Sequence, residues 1–227
     1  MAYALAFDVY GTLIDPSAMT DYLRDVAGDQ APRLSTLWRE TQLSYAFRRA
    51  AMRQYAPFSQ VTSEALRYAL ATIGLKTTTA QMSEILAQYR HLPAFGDAEP
   101  ALLALSGQGH RMHAFSNGTR SDIASLMETS GLSTFLQAPV SAEDAKSFKP
   151  DPRVYTLFET ATGASAANTW LISSNPFDIV GAWACGWRTI WVQRDAGVPF
   201  DPWGQRPSHI VQDLSQIAPI LEPVECV

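Results

Sequence analysis

Four short apolar runs constrain this chain more than any other feature: YALAFDVY (Tyr3 to Tyr10), HRMHAFSNG (His110 to Gly118), TWLISSN (Thr169 to Asn175) and RTIWVQ (Arg188 to Gln193). Each has the length of a strand, and helix-forming segments alternate with them in the second half of the chain. Continuous apolar strands must be covered on both faces, and strands alternating with helices give a parallel sheet between helical layers. The pattern predicts an α/β fold with a doubly wound parallel sheet. Ligands of such sheets bind beyond the carboxyl ends of the strands. The polar residues that end these runs are therefore the first candidates for chemistry.

Between Asp15 and about Pro93 the pattern changes to helix-forming runs without a convincing strand, which reads as an inserted helical unit. In LSTLWRETQLSYAFRRAAM, Leu34, Leu37, Trp38, Tyr45 and Met52 fall at helical spacing and define a packing face. Arg39, Leu43 and Phe47 form a second stripe, so a guanidinium shares a face with two apolar side chains and looks towards a pocket. SEALRYALATIGL reads as a further amphipathic helix that stops near Gly74.

With 227 residues, 47% hydrophobic and 17% charged, the chain can bury a large core and is not disordered in character. Its formal charge of −5 argues against nucleic-acid binding, which needs a basic surface. The opening residues lack a basic leader, and no stretch approaches the ~18 apolar residues of a membrane span. Two cysteines, Cys185 and Cys226, are too few for a disulfide framework, and Cys226 is expected to be free and exposed. A cytoplasmic protein is expected. The histidines at 91, 110, 113 and 209 show no zinc-ligand set, GQGHR lacks a dinucleotide fingerprint, and Trp170, Trp183, Trp187 and Trp191 are read as packing.

Four stretches carry possible chemistry. In FDVYGTLID, Asp8 is either an acid that opens a turn, with Gly11 supplying backbone freedom, or a carboxylate nucleophile held by a buried strand. SNGT (Ser116 to Thr119) offers either turn and cap chemistry or an anion site made from a hydroxyl and backbone N–H groups. FKPDPRVY (Phe148 to Tyr155) reads as a helix start with Asp151 as cap and Pro152 as first residue. Lys149 stands just before it, and a lysine beside Asp8 would neutralise carboxylates without a metal. SSNPFD (Ser173 to Asp178) is a second helix start, with Asn175 as cap. Asp178 becomes a water activator only if Asp8 and Lys149 converge on it.

Taken together, FDVYGTLID, LWRETQLSY, FSNGT, FKPDPRVY and ISSNPFD resemble the L-2-haloacid dehalogenases of the haloacid dehalogenase-like hydrolase superfamily. The resemblance implies a Rossmann-like core at 1–14 and 96–227 with a helical cap at 15–95, a homodimer, and hydrolysis of (S)-2-haloalkanoic acids to (R)-2-hydroxy acids. Asp8 would form an ester with the substrate and halide would leave. Asp178, oriented by Lys149, Asn175 and Ser173, would activate water, while Thr12 and Tyr155 hold the carboxylates. Ser116 and Lys149 would bind the substrate carboxylate. Arg39, Asn117 and Phe177 would receive the halide, with Tyr10, Leu43 and Phe58 around the alkyl group.

Magnesium-dependent phosphatases of the superfamily carry an acid two residues after the nucleophile and another at the start of the last motif. Here Tyr10, Ser173 and Ser174 stand there, so no metal or other cofactor is expected. Glu40 follows the halide arginine where relatives often have a neutral or basic residue, and Phe177 replaces a frequent tryptophan. The same attack on fluoroacetate or another small activated acid, and a carboxylate binder that does not turn over, are the rival readings.

Overall fold

The computed structural model describes residues 2–222. Strands β1 (Ala4–Phe7), β2 (Arg111–Ser116), β3 (Gln137–Ser141), β4 (Thr169–Ser173), β5 (Arg188–Val192) and β6 (His209–Val211) form one sheet in the order β3-β2-β1-β4-β5-β6. Every pairing in it is parallel. The helices are α1 (Met19–Ala27), α2 (Ala31–Met52), α3 (Phe58–Thr72), α4 (Thr79–Gln88), α5 (Ala98–Ser106), α6 (Arg120–Thr129), α7 (Pro152–Thr162), α8 (Pro176–Ala184) and α9 (Ile217–Leu221). This is the expected doubly wound α/β fold with a helical insertion.

Alternation along the strands divides the core. Leu5, Phe7, Ile172, Ile190 and Val192 pack on one side of the sheet with Leu102 of α5 and Ile123 of α6. Ala4, Ala6, Phe115, Leu171 and Trp191 pack on the other with Val154 and Phe158 of α7 and Ile179 of α8. Strand order runs outward from β1 in both directions, so a crevice opens beyond the carboxyl ends of β1 and β4, where the winding reverses.

The chain leaves the sheet after β1 and returns before α5 through a pinned neck. The Asp15 N–H donates to the Pro93 carbonyl and the Phe95 N–H to the Leu13 carbonyl, both at 2.9 Å. Helices α1 to α4 lie between these bonds, and the Trp38 indole ties α2 to α3 by donating to the Thr62 carbonyl at 2.9 Å.

Several details differ from expectation. β3 and β6 escape the sequence reading because both are edge strands: β3 is partly solvated and contains Pro139, and β6 has three residues. On α2, Leu34 and Trp38 are buried, but Met52 is 60% exposed because it ends the helix beyond the turns its neighbours cover. Trp183 is 46% exposed: Asp178, Ile179 and Ala182 form the inward face of α8, and Trp183 points away from it. Cys185 is a half-buried free thiol, and Cys226 lies outside the described residues. Among the described residues no helix is long and apolar enough to cross a membrane.

Candidate active site

Asp8 is fixed by backbone before its side chain does anything. Its N–H donates to the Ile172 carbonyl at 2.9 Å, which extends the β1–β4 ladder one residue past the strand. The chain then turns through Gly11 at φ +92, a conformation that a side chain would strain. A Cβ there would also come within 3.0 Å of Ser174 Oγ. Thr12 Oγ1 accepts from the Ser174 N–H at 2.9 Å and donates to Asp8 Oδ2 at 3.0 Å, so the backbone bond aims the hydroxyl hydrogen at the carboxylate. Asn175 Nδ2 donates to the same Oδ2 at 2.7 Å and to the Tyr10 carbonyl at 3.1 Å.

Lys149 joins the strand ends. Its backbone N–H donates to Asn117 Oδ1 at 2.7 Å, which locks the loop before α7 onto the tip of β2. Its ammonium donates to Asp8 Oδ1 at 3.3 Å, the Phe115 carbonyl at 2.8 Å and Asp178 Oδ2 at 2.8 Å, and stands over the Phe115 ring. Three N–H donors meet three acceptors. The expected direct bond from Lys149 to a substrate carboxylate therefore has no donor in this arrangement.

Asp178 is fully buried in the first turn of α8. Its Oδ1 accepts from the Tyr155 hydroxyl at 2.8 Å and its Oδ2 from Lys149. Burial pushes its pKa up to about 6; the Lys149 charge opposes this shift and the negative charge of Asp8 adds to it. Burial, then the charge of Asp178, holds the Tyr155 phenol well above its ordinary range, so it stays a donor. Asn175 and Ser173 are expected to orient Asp178 but do not touch its side chain among the bonds formed. At the N-cap, Asn175 points back over the β1 turn, while Asp178 faces the core, and Ser173 Oγ accepts from the Asn175 N–H at 3.1 Å.

The remaining candidates take the following places. Ser116 ends β2, is buried, and accepts from the Gly118 N–H at 3.2 Å. Arg39 reaches from α2 to the Tyr10 carbonyl at 3.4 Å and donates to Gln42 Oε1 at 2.9 Å. Tyr10 lies 6.4 Å from Phe58, ring to ring, and burial raises its hydroxyl pKa above the ordinary range. Leu43 is half-buried, one turn along the Arg39 face. Phe177 packs edge-to-face on Phe47 at 5.0 Å and is half-buried.

Sequence reasoning misses the residues that hold this set from behind. Buried Gln42 links Arg39, the Thr62 hydroxyl and the Tyr89 hydroxyl. Tyr89 stacks on Tyr10 at 5.3 Å. Gly181 is bare because a Cβ would run into the Tyr155 hydroxyl and Pro150. A polar glutamine on an otherwise apolar helical stripe is the one signal that was available.

An aspartate at the tip of β1, a lysine bridging it to a second buried acid, and an arginine entering from an inserted helix make up the centre of this site. The sequence profile of the haloacid dehalogenase-like hydrolases matches residues 4–186. Haloacetate dehalogenase H-2 of Moraxella sp. (strain B) is 34% identical over 218 residues, 96% of this chain and 97% of that protein. (S)-2-haloacid dehalogenase 4A of Burkholderia cepacia is 35% identical over 221 residues, 96% of this chain and 94% of that one. The solved L-2-haloacid dehalogenase of Xanthobacter autotrophicus, with chloropropionic acid covalently bound, superposes with a TM-score of 0.91 at 28% identity, covering 97% of this chain and 98% of that one. With a profile spanning most of the length and relatives above 30% identity end to end, the chain belongs to the haloacid dehalogenase-like hydrolases.

Proposed function

We propose that this protein is an (S)-2-haloacid dehalogenase that works through an ester on Asp8. The observation that carries the reading is the Lys149 ammonium lying between Asp8 and Asp178, 3.3 Å from one carboxylate and 2.8 Å from the other. Asp8 Oδ2 already accepts two hydrogen bonds, from Thr12 and Asn175, whereas Oδ1 has a single long contact. Oδ1 is thus the oxygen that attacks C2 from the side opposite the halogen. The carbon inverts, an Asp8 ester forms, and the halide departs with the bonding pair. Holding the reactants in line replaces a bimolecular encounter, an effect worth ~7 kcal/mol or more in well-oriented systems.

The second half-reaction uses the same contacts. Oδ2 becomes the ester carbonyl oxygen, and Thr12 and Asn175 stabilise the negative charge it gains when water adds to the carbonyl carbon. Asp178, ionised and anchored by Lys149 and Tyr155, takes the proton of that water. Collapse releases the (R)-2-hydroxy acid and restores Asp8. Ser116 binds the substrate carboxylate. Arg39 has N–H groups beyond the two used on Tyr10 and Gln42, and with Asn117 and Phe177 it receives the halide. Tyr10, Leu43 and Phe58 enclose the alkyl group, and residues 15–95 act as the cap.

The superfamily's Mg²⁺ does not fit this donor set. The place between the two carboxylates holds an ammonium, Tyr10 and Ser173 supply no acid, and no group of three or more His, Cys, Asp or Glu side chains gathers among the described residues. The test is halide release from (S)-2-chloropropionate in the presence of EDTA, and its loss in Asp8→Ala. The name of the Moraxella relative favours a second reading, the same chemistry on haloacetates, which a panel of chloro-, bromo- and fluoroacetate separates. A homodimer in a reducing cytoplasm completes the proposal, and light scattering tests the dimer.

A further inference from the structure

The turn that follows Asp8 has its carbonyl groups held from several directions. The Tyr10 carbonyl accepts from Asn175 Nδ2 at 3.1 Å and from Arg39 at 3.4 Å, the Gly11 carbonyl from Ser174 Oγ at 2.8 Å, and the Leu13 carbonyl from the Phe95 N–H at 2.9 Å. The Thr12 carbonyl accepts from Arg194 Nη2 at 2.6 Å, a charged donor 182 positions along the chain. We propose that Arg194 is a positioning residue for the reaction: through the Thr12 carbonyl it keeps the Thr12 hydroxyl on Asp8 Oδ2, and so acts mainly on hydrolysis of the Asp8 ester. This rests on the dehalogenase reading and adds to it a residue that works one step behind Asp8.

The sheet delivers Arg194 to this place. The Gln193 N–H donates to the Val211 carbonyl at 2.8 Å, which carries the β5–β6 ladder one residue beyond Val192, and the Arg194 N–H turns back to the Val192 carbonyl at 3.0 Å. The guanidinium then stands 3.8 Å from the centre of the Phe95 ring, with Nη1 2.7 Å from Asp97 Oδ2 and Nη2 on Thr12. Thr12 lies where the chain enters the helical insertion, and Phe95 and Asp97 where it returns. One half-buried cation thus grips both sides of the neck.

The way the fork is used argues for positioning over simple ion pairing. A guanidinium beside a carboxylate gains most when two of its N–H groups meet both oxygens. Here Asp97 Oδ2 takes both Arg194 and, at 2.8 Å, the Leu214 N–H, while Asp97 Oδ1 and Arg194 Nε have no partner among the described residues. The second arm of the fork goes to Thr12. Ser174 fixes the Thr12 hydroxyl through its N–H at 2.9 Å, and Arg194 fixes the peptide behind it, so the hydroxyl hydrogen keeps its line to Asp8 Oδ2. Without the guanidinium the peptide after Thr12 is free to turn, and the donor that meets the charge developing on the ester carbonyl oxygen loses its preorganisation. Attack by Oδ1 asks less of that donor, because no negative charge builds on Oδ2 in that step.

The experiment is a single turnover of (S)-2-chloropropionate by the full-length protein, Arg194→Met, Arg194→Lys and Asp97→Asn. Halide release gives the rate of ester formation, and the mass of the intact protein followed in time gives the rate of ester hydrolysis. In Arg194→Met the ratio of hydrolysis to halide release should fall about tenfold, less than the roughly 10²–10³ lost when an oxyanion donor is removed outright. Arg194→Lys, with one point charge in place of the fork, should fall between this variant and the parent, and it carries the test if Arg194→Met does not fold. Asp97→Asn keeps the arm on Thr12 and should lower Tm without changing the ratio. In a Thr12→Val background Arg194→Met should change the ratio no further. An unchanged ratio in the Arg194 variants overturns the proposal, as does an undiminished effect in Thr12→Val. An equal fall in Asp97→Asn also overturns it, because the ion pair and not the Thr12 bond would then be the cause. Absence of halide release from the unaltered protein would defeat the dehalogenase reading itself, a distinguishable failure.

Discussion

The Lys149 ammonium lies 2.8 Å from Asp178 Oδ2, and neither side chain reaches solvent. Such a pair recovers its desolvation cost only while both members are present. Lys149→Met would leave Asp8 and Asp178 as two carboxylates in one dry site. It should destabilise the fold by about 3–5 kcal/mol in urea denaturation and abolish halide release. Retained turnover would show that the ammonium is not the counter-charge of the reaction.

Asp178 separates the two half-reactions. As a base it must be ionised, and its pKa is raised to about 6, so the hydrolytic step should weaken as pH falls through that value while alkylation of Asp8 continues. Asp178→Asn makes the block permanent. One equivalent of halide should appear per site, with a matching mass increase on the intact protein. Steady turnover by this variant, or a rate indifferent to pH between about 5 and 7, would assign the water-activating role elsewhere.

Asp8, Lys149 and Asp178 were legible in the sequence because each sits where an apolar run or helix start breaks into turn residues, and the sheet brings such breaks to one edge. Gln42 and Tyr89 were not legible. Their bond joins residues 47 apart and exists only once α2 meets the end of α4, so no local pattern announces it. Direction was also hidden. That Asn175 serves Asp8 and not Asp178 depends on the phase at which α8 begins, which spacing alone does not set. β3 and β6 were missed because edge strands need only half an apolar pattern.

Gly181 carries a role through emptiness. A methyl group there meets the Tyr155 hydroxyl and Pro150, the residue after Lys149. Gly181→Ala should cost about 1–3 kcal/mol, as overpacking does, and lower kcat by displacing Tyr155 from Asp178. In a Tyr155→Phe background the further loss of kcat should be smaller than in the parent. Strict additivity would mean that the methyl acts by another route.

The histidines of β2 and its approach contribute a loss of stability in acid. His110 and His113 are buried, their Nε2 atoms have no partner among the described residues, and burial holds both below the usual 6.5. A depressed folded value means that the unfolded chain takes up protons first. The stabilisation is therefore complete above pH 6.5 and is lost as pH falls through the lower folded values. Asp178, raised to about 6 in the fold, acts in the opposite direction over the same window in parent and variant alike, so the histidine shows in the difference: between about pH 7 and 5.5 the Tm of the parent should fall relative to that of His113→Leu. An equal change in that variant would remove His113 as a cause.

The most direct measurement is a single turnover in heavy-oxygen water with enzyme in excess over (S)-2-chloropropionate, followed by mass analysis of the product and of the peptide containing Asp8. Attack by Asp8 Oδ1 requires an unlabelled 2-hydroxy acid and one heavy oxygen in the Asp8 carboxylate. Heavy oxygen in the product after that first turnover, with Asp8 unlabelled, would mean that water displaces the halide itself and that the aspartyl ester does not form.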